Sequence, residues 1–210
     1  MRVTEIFFSI QGEGTRAGRP CVFVRFTGCD LRCCYCDTTY AFTGGRSMLR
    51  EEILAEVARY PCRLVLLTGG EPLLQPDLPE LSRELLARGY EVTVETHGQR
   101  PLDALPAEVV SIVDVKTPGS GEATTDLAYL DRLRSHDEVK FVVCSEADFR
   151  YSLGVIREHR LEGRVALLVS PVHGAVEARE VARWILESGV EARLNLQLHK
   201  VVWGPQARGV

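Results

Sequence analysis

Apolar, β-branched runs alternate along the chain with stretches whose apolar residues recur at helical spacing. Several of the apolar runs are nearly continuous, which is typical of strands covered on both faces of a sheet. The predicted strands lie at 3–9, 21–27, 63–68, 91–96, 109–115, 138–144, 164–170 and 192–198. The predicted amphipathic helices lie at 48–60, 76–88, 124–135, 147–160 and 175–188. This repeating order of strand and helix implies parallel strands joined by right-handed crossovers.

The number of strand–helix units predicts the architecture. About six units are too few for a closed eight-fold barrel. We therefore expect an α/β fold in the form of an incomplete, splayed (βα)6-type partial TIM barrel. Functional groups in such folds lie at the carboxyl ends of the strands and in the loops that follow. That rule selects the loops at 28–47, 68–72, 95–98, 116–122 and 170–174.

Composition and charge narrow the class of protein. The 210 residues suit one domain with its own core, and 45% hydrophobic with 26% charged residues is ordinary for a soluble globular protein. A net charge of −4 argues against nucleic acid as a direct ligand. No apolar run approaches the roughly 20 residues of a membrane helix, and Glu5 interrupts the N-terminal apolar stretch, unlike a signal peptide. We expect a cytoplasmic protein with no membrane partner.

Four of the seven cysteines fall in the segment CDLRCCYC at 29–36. An odd cysteine count in a cytosolic chain argues against a disulfide framework. Cys29, Cys33 and Cys36 form the pattern C-x3-C-x2-C, and thiolates are soft ligands that favour iron–sulfur clusters, zinc or copper. Three cysteines on one loop can hold three irons of a cubane cluster and leave the fourth iron open to a ligand.

A zinc site is the alternative interpretation of this cysteine segment. Cys34 or a more distant cysteine would then supply the fourth ligand. Closed zinc sites usually pair two short C-x2–4-C units or add histidines. The chain has no second pair, and the nearest histidine is His97. The spacing therefore favours a cluster.

A second motif, LVLLTGGEP at 64–72, follows the next predicted strand. Glycines let the backbone approach a ligand closely, and Glu71 offers an acceptor for an ammonium group. By itself, the motif is equally consistent with a tight turn between a strand and a helix. Its position after the cysteine motif favours a ligand site.

The cysteine pattern, with Tyr35 before the last cysteine, resembles the signature of the radical S-adenosylmethionine (SAM) superfamily. The resemblance implies the radical SAM fold and a 4Fe–4S cluster on Cys29, Cys33 and Cys36. It also implies that SAM chelates the open iron and that electron transfer into its sulfonium produces a 5′-deoxyadenosyl radical. That chemistry belongs to the cofactor, while the protein supplies geometry and exclusion of water.

The flanking segments resemble one family more closely, the 7-carboxy-7-deazaguanine synthases. The resemblance is carried by FFSIQGEGTRAGRPCVFVRFTGCDLRCCYCDTTYAF, TGGEP, ETHG at 95–98 and the C-terminal LHKVVWG. It implies conversion of 6-carboxy-5,6,7,8-tetrahydropterin to 7-carboxy-7-deazaguanine with loss of ammonia, a step toward 7-deazapurines such as queuosine. It further implies one domain over 1–210 with an N-terminal substrate-binding strand and loop and a C-terminal extension. The resemblance also implies that the protein requires Mg²⁺, forms a homodimer and takes its electron from a flavodoxin or a ferredoxin.

The resemblance also implies roles for individual residues. The implied substrate contacts are Ile10, Gln11, Gly12, Glu13, Arg25 and Thr68, and the implied magnesium ligand is the Thr38 hydroxyl. The implied SAM contacts are Tyr35, Asp37, Gly69, Gly70, Glu71, Asp114, Val115, Lys116, Ser170, Pro171, Val172 and His173. Relatives often carry Ser-Pro-Lys at 114–116, so the chain departs from the pattern at the first two of these positions. No role follows for Glu95, His97, Gln197, His199 or Lys200.

Two other functions stay open on the sequence alone. A glycyl-radical-enzyme activase is another small radical SAM enzyme, but it needs a protein substrate. The QGEG segment and Arg25 favour a small carboxylated substrate, because a guanidinium pairs with a carboxylate through two hydrogen bonds. A non-enzymatic metal-binding module is the other alternative, and it predicts no SAM binding.

Overall fold

The structure, a computed structural model, describes residues 1–123, 126–205 and 207–209. Its strands are β1 (Arg2–Ile10), β2 (Pro20–Phe26), β3 (Arg46–Ser47), β4 (Leu64–Gly69), β5 (Glu91–Thr96), β6 (Val110–Lys116), β7 (Glu138–Val143), β8 (Ala166–Pro171) and β9 (Arg193–Leu194). Its α-helices are α1 (Arg50–Val57), α2 (Leu78–Ala87), α3 (Glu146–Glu158), α4 (Ala178–Ser188) and α5 (Leu198–Val202). Short 3-10 helices lie at Gly14–Arg16, Thr39–Ala41, Pro72–Leu74, Pro118–Ser120 and Ala128–Arg132.

Within the described residues, the nine strands form one sheet in the order β3-β1-β2-β4-β5-β6-β7-β8-β9. Neighbouring strands from β2 to β9 run parallel, whereas β1 lies antiparallel to both β2 and β3. The edge strands β3 and β9 do not pair with each other, so the sheet stays open. The predicted α/β partial barrel is therefore confirmed. None of the helices in the described ranges is long and apolar enough to cross a membrane.

Local signals set the helix ends. The Ser145 hydroxyl accepts a hydrogen bond from the backbone N–H of Asp148 at the start of α3, as an N-cap residue does. Pro79 lies in the first turn of α2, where its missing N–H has no partner to lose. Helix α4 ends at Ser188 and is followed by Gly189, whose φ of +69° is a left-handed conformation that glycine adopts without a steric penalty. These features explain why the predicted helices 76–88, 147–160 and 175–188 are present.

Three elements differ from the sequence-based expectation. The first predicted strand is antiparallel rather than parallel, because only residues 11–19 join β1 to β2 and a parallel crossover needs a dozen or more. Of the predicted helix 124–135, positions 124 and 125 lie outside the described residues. The remainder forms only the 3-10 helix Ala128–Arg132, whose Ala128 N–H is taken by the Asp126 carboxylate. The predicted strand 192–198 pairs with the sheet only at β9.

The helices cover the outer face of the sheet with two apolar clusters. One packs β1, β2, β4 and β5 against α1 and α2, with Phe26 and Ile53 fully buried. The other packs β6, β7 and β8 against α3 and α4, with Phe141 and Trp184 among its members. Burying aromatic and branched side chains in this way is the main favourable contribution to folding.

The opposite, inner face of the sheet changes from apolar to polar toward the carboxyl ends of the strands. Along β4, side chains alternate between the two faces, so Leu64, Leu66 and Thr68 share the inner one. Leu66 and Thr68 both line an interior cavity, together with Phe23 and Ile112 from neighbouring strands. The alternation thus presents Thr68 at the open end of an otherwise apolar wall.

Candidate active site

A cavity of about 300 Å³ lies inside the partial barrel, at the carboxyl ends of the parallel strands. It gathers residues from almost the whole length of the described chain. The predicted site residues that line it are Ile10, Gln11, Gly12, Glu13, Arg25, Cys29, Cys33, Tyr35, Cys36, Asp37, Thr38, Thr68, Gly69, Gly70, Asp114, Lys116, Ser170, Pro171, Val172 and His173. Glu71 and Val115 do not line it.

The three cysteines of the C-x3-C-x2-C pattern lie on the loop after β2 and face this cavity together. Cys34 points elsewhere, since its thiol donates to the Gly119 carbonyl at 3.1 Å. As the described residues are placed, no group of three or more His, Cys, Asp or Glu side chains could hold a metal ion. The fit of an iron–sulfur cluster therefore depends on the donor chemistry, which is three soft thiol ligands from one loop on one wall of the cavity.

Burial governs the acidity of these thiols. It raises the pKa of Cys29 and of Cys36, and it raises the pKa of Cys33 to about 11 despite the nearby positive charge of Lys116. Metals bind the thiolate form, so cluster binding must release the thiol protons.

Gly69 and Gly70 bring the end of β4 against the start of the cysteine loop. A Cβ atom on Gly70 would lie 2.1 Å from the Gly28 carbonyl oxygen and 2.9 Å from the Cys29 Cβ. A Cβ atom on Gly69 would lie 2.5 Å from the Phe26 carbonyl oxygen. Both positions therefore require glycine, because a side chain on Gly69 would overlap the end of β2 and one on Gly70 would push the cysteine loop away from the sheet.

The Glu71 carboxylate is buried in the protein and does not line the cavity. Its side chain is 0% exposed, and Oε1 accepts hydrogen bonds from the Leu73 N–H at 2.9 Å and the Thr96 hydroxyl at 2.8 Å. Oε2 accepts from the His97 N–H at 3.0 Å. The predicted contact of this carboxylate with a ligand ammonium group stays a prediction. Glu71 ties the end of β4 to the end of β5.

Val115 does not line the cavity, and its predicted contact with SAM stays a prediction. Side chains alternate along β6, so Asp114 and Lys116 point into the cavity while Val115 points to the outer face. There it is fully buried in the apolar cluster of β6 to β8.

Lys140 from β7 is the centre of a group of charged side chains on the cavity wall. Its ammonium donates to Glu13 Oε2 at 3.0 Å and to Glu95 Oε1, and it lies 3.7 Å from Asp114 Oδ2. The lysine is only 5% exposed. Burial lowers the pKa of Lys140, but Glu13, Glu95 and Asp114 outweigh burial and hold the pKa well above its ordinary value. Lys140 is thus a permanent cation.

Glu13 connects this group to the C-terminal segment. Burial raises the pKa of Glu13, but the charge of Lys140 and a hydrogen bond from Gln197 outweigh it and keep the pKa below its ordinary value. Gln197 Nε2 donates to Glu13 Oε1 at 2.9 Å, and Asn195 Nδ2 donates to Glu13 Oε2 at 3.3 Å. The carboxylate is therefore charged and held from two sides.

Asp114 and Lys116 form a second, largely buried pair, with Nζ 2.7 Å from Oδ2. Burial raises the pKa of Asp114, but the charges of Lys116 and Lys140 outweigh burial and hold the pKa below its ordinary value, so the carboxylate stays charged. Asp114 Oδ1 and the Tyr35 hydroxyl have no hydrogen-bond partner among the described residues, although both are buried. Buried polar atoms are nearly always paired, so two unpaired atoms beside one cavity suit a polar ligand such as SAM.

Arg25 and Thr38 lie on the side of the cavity nearest to the loops. Arg25 Nε donates to Glu5 Oε1 at 2.7 Å, and the Tyr40 hydroxyl donates to the same oxygen at 2.8 Å. Glu5 thus orients the guanidinium. Thr38 Oγ1 donates to Asp37 Oδ1 at 3.0 Å. The Thr38 hydroxyl is a hard oxygen ligand that suits Mg²⁺, which would take its other oxygens from water and substrate.

The structure adds residues that sequence reasoning missed or left without a role. Lys140 is one, and the available signal was a charged residue at the centre of the apolar run EVKFVV, which must be paired when buried. The C-terminal segment is another. Gln197, His199 and Lys200 all line the cavity, and a Cβ atom on Gly12 would lie 2.6 Å from His199 Nδ1.

Comparison with known proteins identifies similar chains. A family model described as the Radical SAM superfamily matches residues 23–136. The 7-carboxy-7-deazaguanine synthase of Koribacter versatilis is 45% identical over 100% of both chains. The protein of the same name from Chlorobaculum tepidum is 41% identical over 100% of this chain and 97% of that one.

Solved structures share the fold. The crystal structure of QueE from Escherichia coli superposes with a TM-score of 0.77 at 23% identity and covers 93% of each chain. Streptococcus suis SuiB bound to S-adenosylmethionine gives a TM-score of 0.56 at 12% identity, over 81% of this chain and 47% of that one. At these identities the likeness is one of fold.

Proposed function

The chain belongs to the 7-carboxy-7-deazaguanine synthase family of radical SAM enzymes, and from that membership we propose its reaction. It converts 6-carboxy-5,6,7,8-tetrahydropterin to 7-carboxy-7-deazaguanine with loss of ammonia, a step of 7-deazapurine biosynthesis. The observation that carries this assignment is the meeting of the three motif cysteines with Glu13 and Arg25 in one cavity.

The chain uses the cofactors of its family, which are a 4Fe–4S cluster, SAM and Mg²⁺. When bound, the cluster and SAM supply a 5′-deoxyadenosyl radical, which removes a hydrogen atom from the substrate. We assign the cluster to Cys29, Cys33 and Cys36, and the magnesium to Thr38. The common orientation of the cysteines into the cavity and the glycine contact beneath Cys29 support the first assignment.

We assign the pterin to the part of the cavity between Glu13 and Arg25. Phe7 and Phe23 line the same cavity and stack on each other at 4.7 Å between ring centroids, so they add apolar aromatic surface for a bicyclic ring. Carboxylates at Glu13 and Glu95 suit the N–H donors of the pterin, and the Arg25 guanidinium suits its carboxylate. The protein contributes chiefly by holding the abstracted hydrogen near the radical.

We assign SAM to the wall between Tyr35 and His173. The unpaired Tyr35 hydroxyl and Asp114 Oδ1 support this assignment. Asp37, Gly69, Gly70, Lys116, Ser170, Pro171 and Val172 line the same cavity.

The test is an anaerobic incubation of reconstituted protein with carboxytetrahydropterin, SAM, Mg²⁺ and dithionite. We expect 7-carboxy-7-deazaguanine and ammonia in equal amounts. Release of 5′-deoxyadenosine without any deazapurine, together with radical formation on a protein glycine, would instead identify an activase. Protein that binds only zinc and no SAM would identify a metal-binding module.

We also propose that the enzyme is a homodimer that takes its electron from a flavodoxin or a ferredoxin. Exposed apolar side chains at α5 support an interface between copies, with Val201 74%, Val202 57% and Trp203 51% exposed. Sedimentation of the holoenzyme should give the mass of two chains. A cytoplasmic location stays a prediction.

A further inference from the structure

The ammonium of Lys140 lies between the residues assigned to the pterin and those assigned to SAM. An ammonium group has three N–H donors and no acceptor. Glu13 accepts one at 3.0 Å, Glu95 accepts another, and Asp114 lies 3.7 Å away. Two of its three N–H donors are therefore taken by carboxylates of the protein, and the third carboxylate lies within ion-pair distance.

Of the three carboxylates, Glu13 and Glu95 depend on Lys140 most. Asp114 has a closer cation of its own, because Lys116 Nζ lies 2.7 Å from Asp114 Oδ2. Glu95 has a second contact, from the Thr68 hydroxyl to Oε2 at 3.1 Å, but no other cation lies within ion-pair distance of it in the described residues. The same holds for Glu13, whose other donors are the amides of Gln197 and Asn195.

Two carboxylates that share a poorly solvated site repel each other unless a cation lies between them. Without the cation, one of them takes up a proton, and a protonated carboxyl presents a donor where the charged form presents only acceptors. The edge of a pterin that carries its amino and ring N–H groups presents donors. A pair of charged carboxylates therefore matches this edge only while the lysine is in place.

From this geometry we propose that Lys140 is a positioning residue for the pterin. It holds Glu13 and Glu95 as a fixed pair of hydrogen-bond acceptors for the N–H edge of the ring, and it does not touch the ring itself. This inference rests on the proposed function.

The experiment measures pterin affinity apart from turnover. The probe is 6-carboxypterin, an oxidised analogue that cannot react, titrated into the reconstituted holoenzyme without SAM and followed by its own fluorescence. Lys140→Gln should weaken its binding about tenfold or more, because it leaves two partly buried carboxylates without a cation. Lys140→Arg keeps the charge but not the contacts of a compact ammonium, so it should bind between the parent and the Gln variant.

A second readout separates positioning from general damage to the fold. In both variants, the loss of 6-carboxypterin affinity should be larger than any loss in the release of 5′-deoxyadenosine from SAM with dithionite in the absence of pterin, because Lys116 keeps Asp114 paired. In turnover, KM for carboxytetrahydropterin should rise more than kcat falls.

Arg134 offers a matched structural control. It forms a partly buried ion pair with Asp137 at 3.0 Å and also donates to the carbonyls of Pro106, Ala107 and Val109, and it does not line the cavity. Arg134→Gln should lower the melting temperature and leave 6-carboxypterin affinity unchanged. An equal loss of affinity in this control would mean that the effect at Lys140 is only a loss of stability, and would overturn the inference.

A double-mutant cycle with Glu13→Gln tests whether Lys140 acts through Glu13. The affinity lost on changing Lys140 should shrink at least about threefold when Glu13 is already Gln, as expected for coupled neighbours. An undiminished loss would show that Lys140 does not act through Glu13, and its role in holding the two carboxylates as a pair would be wrong. If Lys140→Gln does not fold, the same cycle is run with Lys140→Arg.

The outcomes also separate this inference from the proposed function. Parent protein that neither binds 6-carboxypterin nor makes deazapurine would reject the proposed function. Parent protein that does both, with Lys140→Gln binding equally well, would reject the role of Lys140 alone.

Discussion

The ammonium of Lys200 lies 2.7 Å from Oδ2 of Asp37, although the two residues are 163 positions apart in the chain. Asp37 directly follows the last motif cysteine, and Lys200 lies in α5. Burial raises the pKa of Asp37, but the hydrogen bond and charge of Lys200 outweigh it and hold the pKa well below its ordinary value. The pair thus fastens the C-terminal segment across the cavity, next to the cluster loop.

Removing this contact should loosen the C-terminal segment. Lys200→Gln should speed hydrogen exchange at the amides of α5, while the stability of the whole protein falls by only about 0.5–1 kcal/mol, because the Asp37 side chain is half exposed and solvent screens the pair. High salt should weaken the parent contact in the same direction. Arg179→Gln on the exposed side of α4 is the control and should change neither quantity. Unchanged exchange at α5 in Lys200→Gln would show that other contacts hold the segment.

The neighbouring cysteines 33 and 34 provide a matched pair of substitutions. Cys33→Ala should abolish the SAM-dependent release of 5′-deoxyadenosine after anaerobic reconstitution, because one of three cluster ligands is lost. Cys34→Ala should keep cluster and activity, because that thiol points to the Gly119 carbonyl and not to the cavity. Iron and sulfide content, together with electron paramagnetic resonance of the reduced protein, report the cluster. Normal cleavage by Cys33→Ala would contradict the ligand assignment.

Gly70 should not tolerate even a methyl group. In Gly70→Ala, the new Cβ would overlap the Gly28 carbonyl oxygen at 2.1 Å, and backbone cannot yield as a flexible side chain can. We expect a loss of about 2 kcal/mol in the free energy of unfolding, and a lower cluster content because Cys29 follows Gly28. The control is Gly154→Ala in α3, where a Cβ meets nothing within 4 Å. That change should be neutral or stabilising by up to about 1 kcal/mol, as urea unfolding of both variants can show.

Acid should destabilise the protein through its paired carboxylates. Glu13, Asp37 and Asp114 have pKa values below their ordinary ones in the folded protein, so the unfolded chain binds more protons than the folded one in mildly acidic solution. Their contribution to stability is complete above the unfolded pKa values of about 4 and is lost as the pH falls through the folded values. Urea unfolding of metal-free protein should therefore show a steep decrease below about pH 4.5.

Glu13→Gln removes one of these titrating groups. Its unfolding free energy should fall less steeply with acidification than that of the parent, although its stability near neutral pH is lower. Identical slopes for the variant and the parent would mean that the pKa of Glu13 is the same in the folded and the unfolded protein, contrary to its contact with Lys140.

Much of the fold could be predicted because its signals are local. The buried strands are short apolar runs, and the helices at 76–88, 147–160 and 175–188 have both periodicity and end signals. The segment 124–135 shows the limit of this approach. Its apolar spacing suits a helix, but the described part forms only a 3-10 helix, and the Asp126 carboxylate accepts the Ala128 N–H at its start.

The sequence by itself determined the cysteine motif and the glycine pair, because each is a run of neighbouring residues whose chemistry does not depend on distant partners. Only the tertiary structure decided that Glu71 accepts hydrogen bonds from Thr96 and His97, and that Lys140 pairs with Glu13, 127 positions away. The residue type of a carboxylate or an ammonium does not show whether the side chain lies on a surface, in a turn or in a cavity. Its partners follow from sheet register and chain crossing, which bring together residues that no local spacing connects.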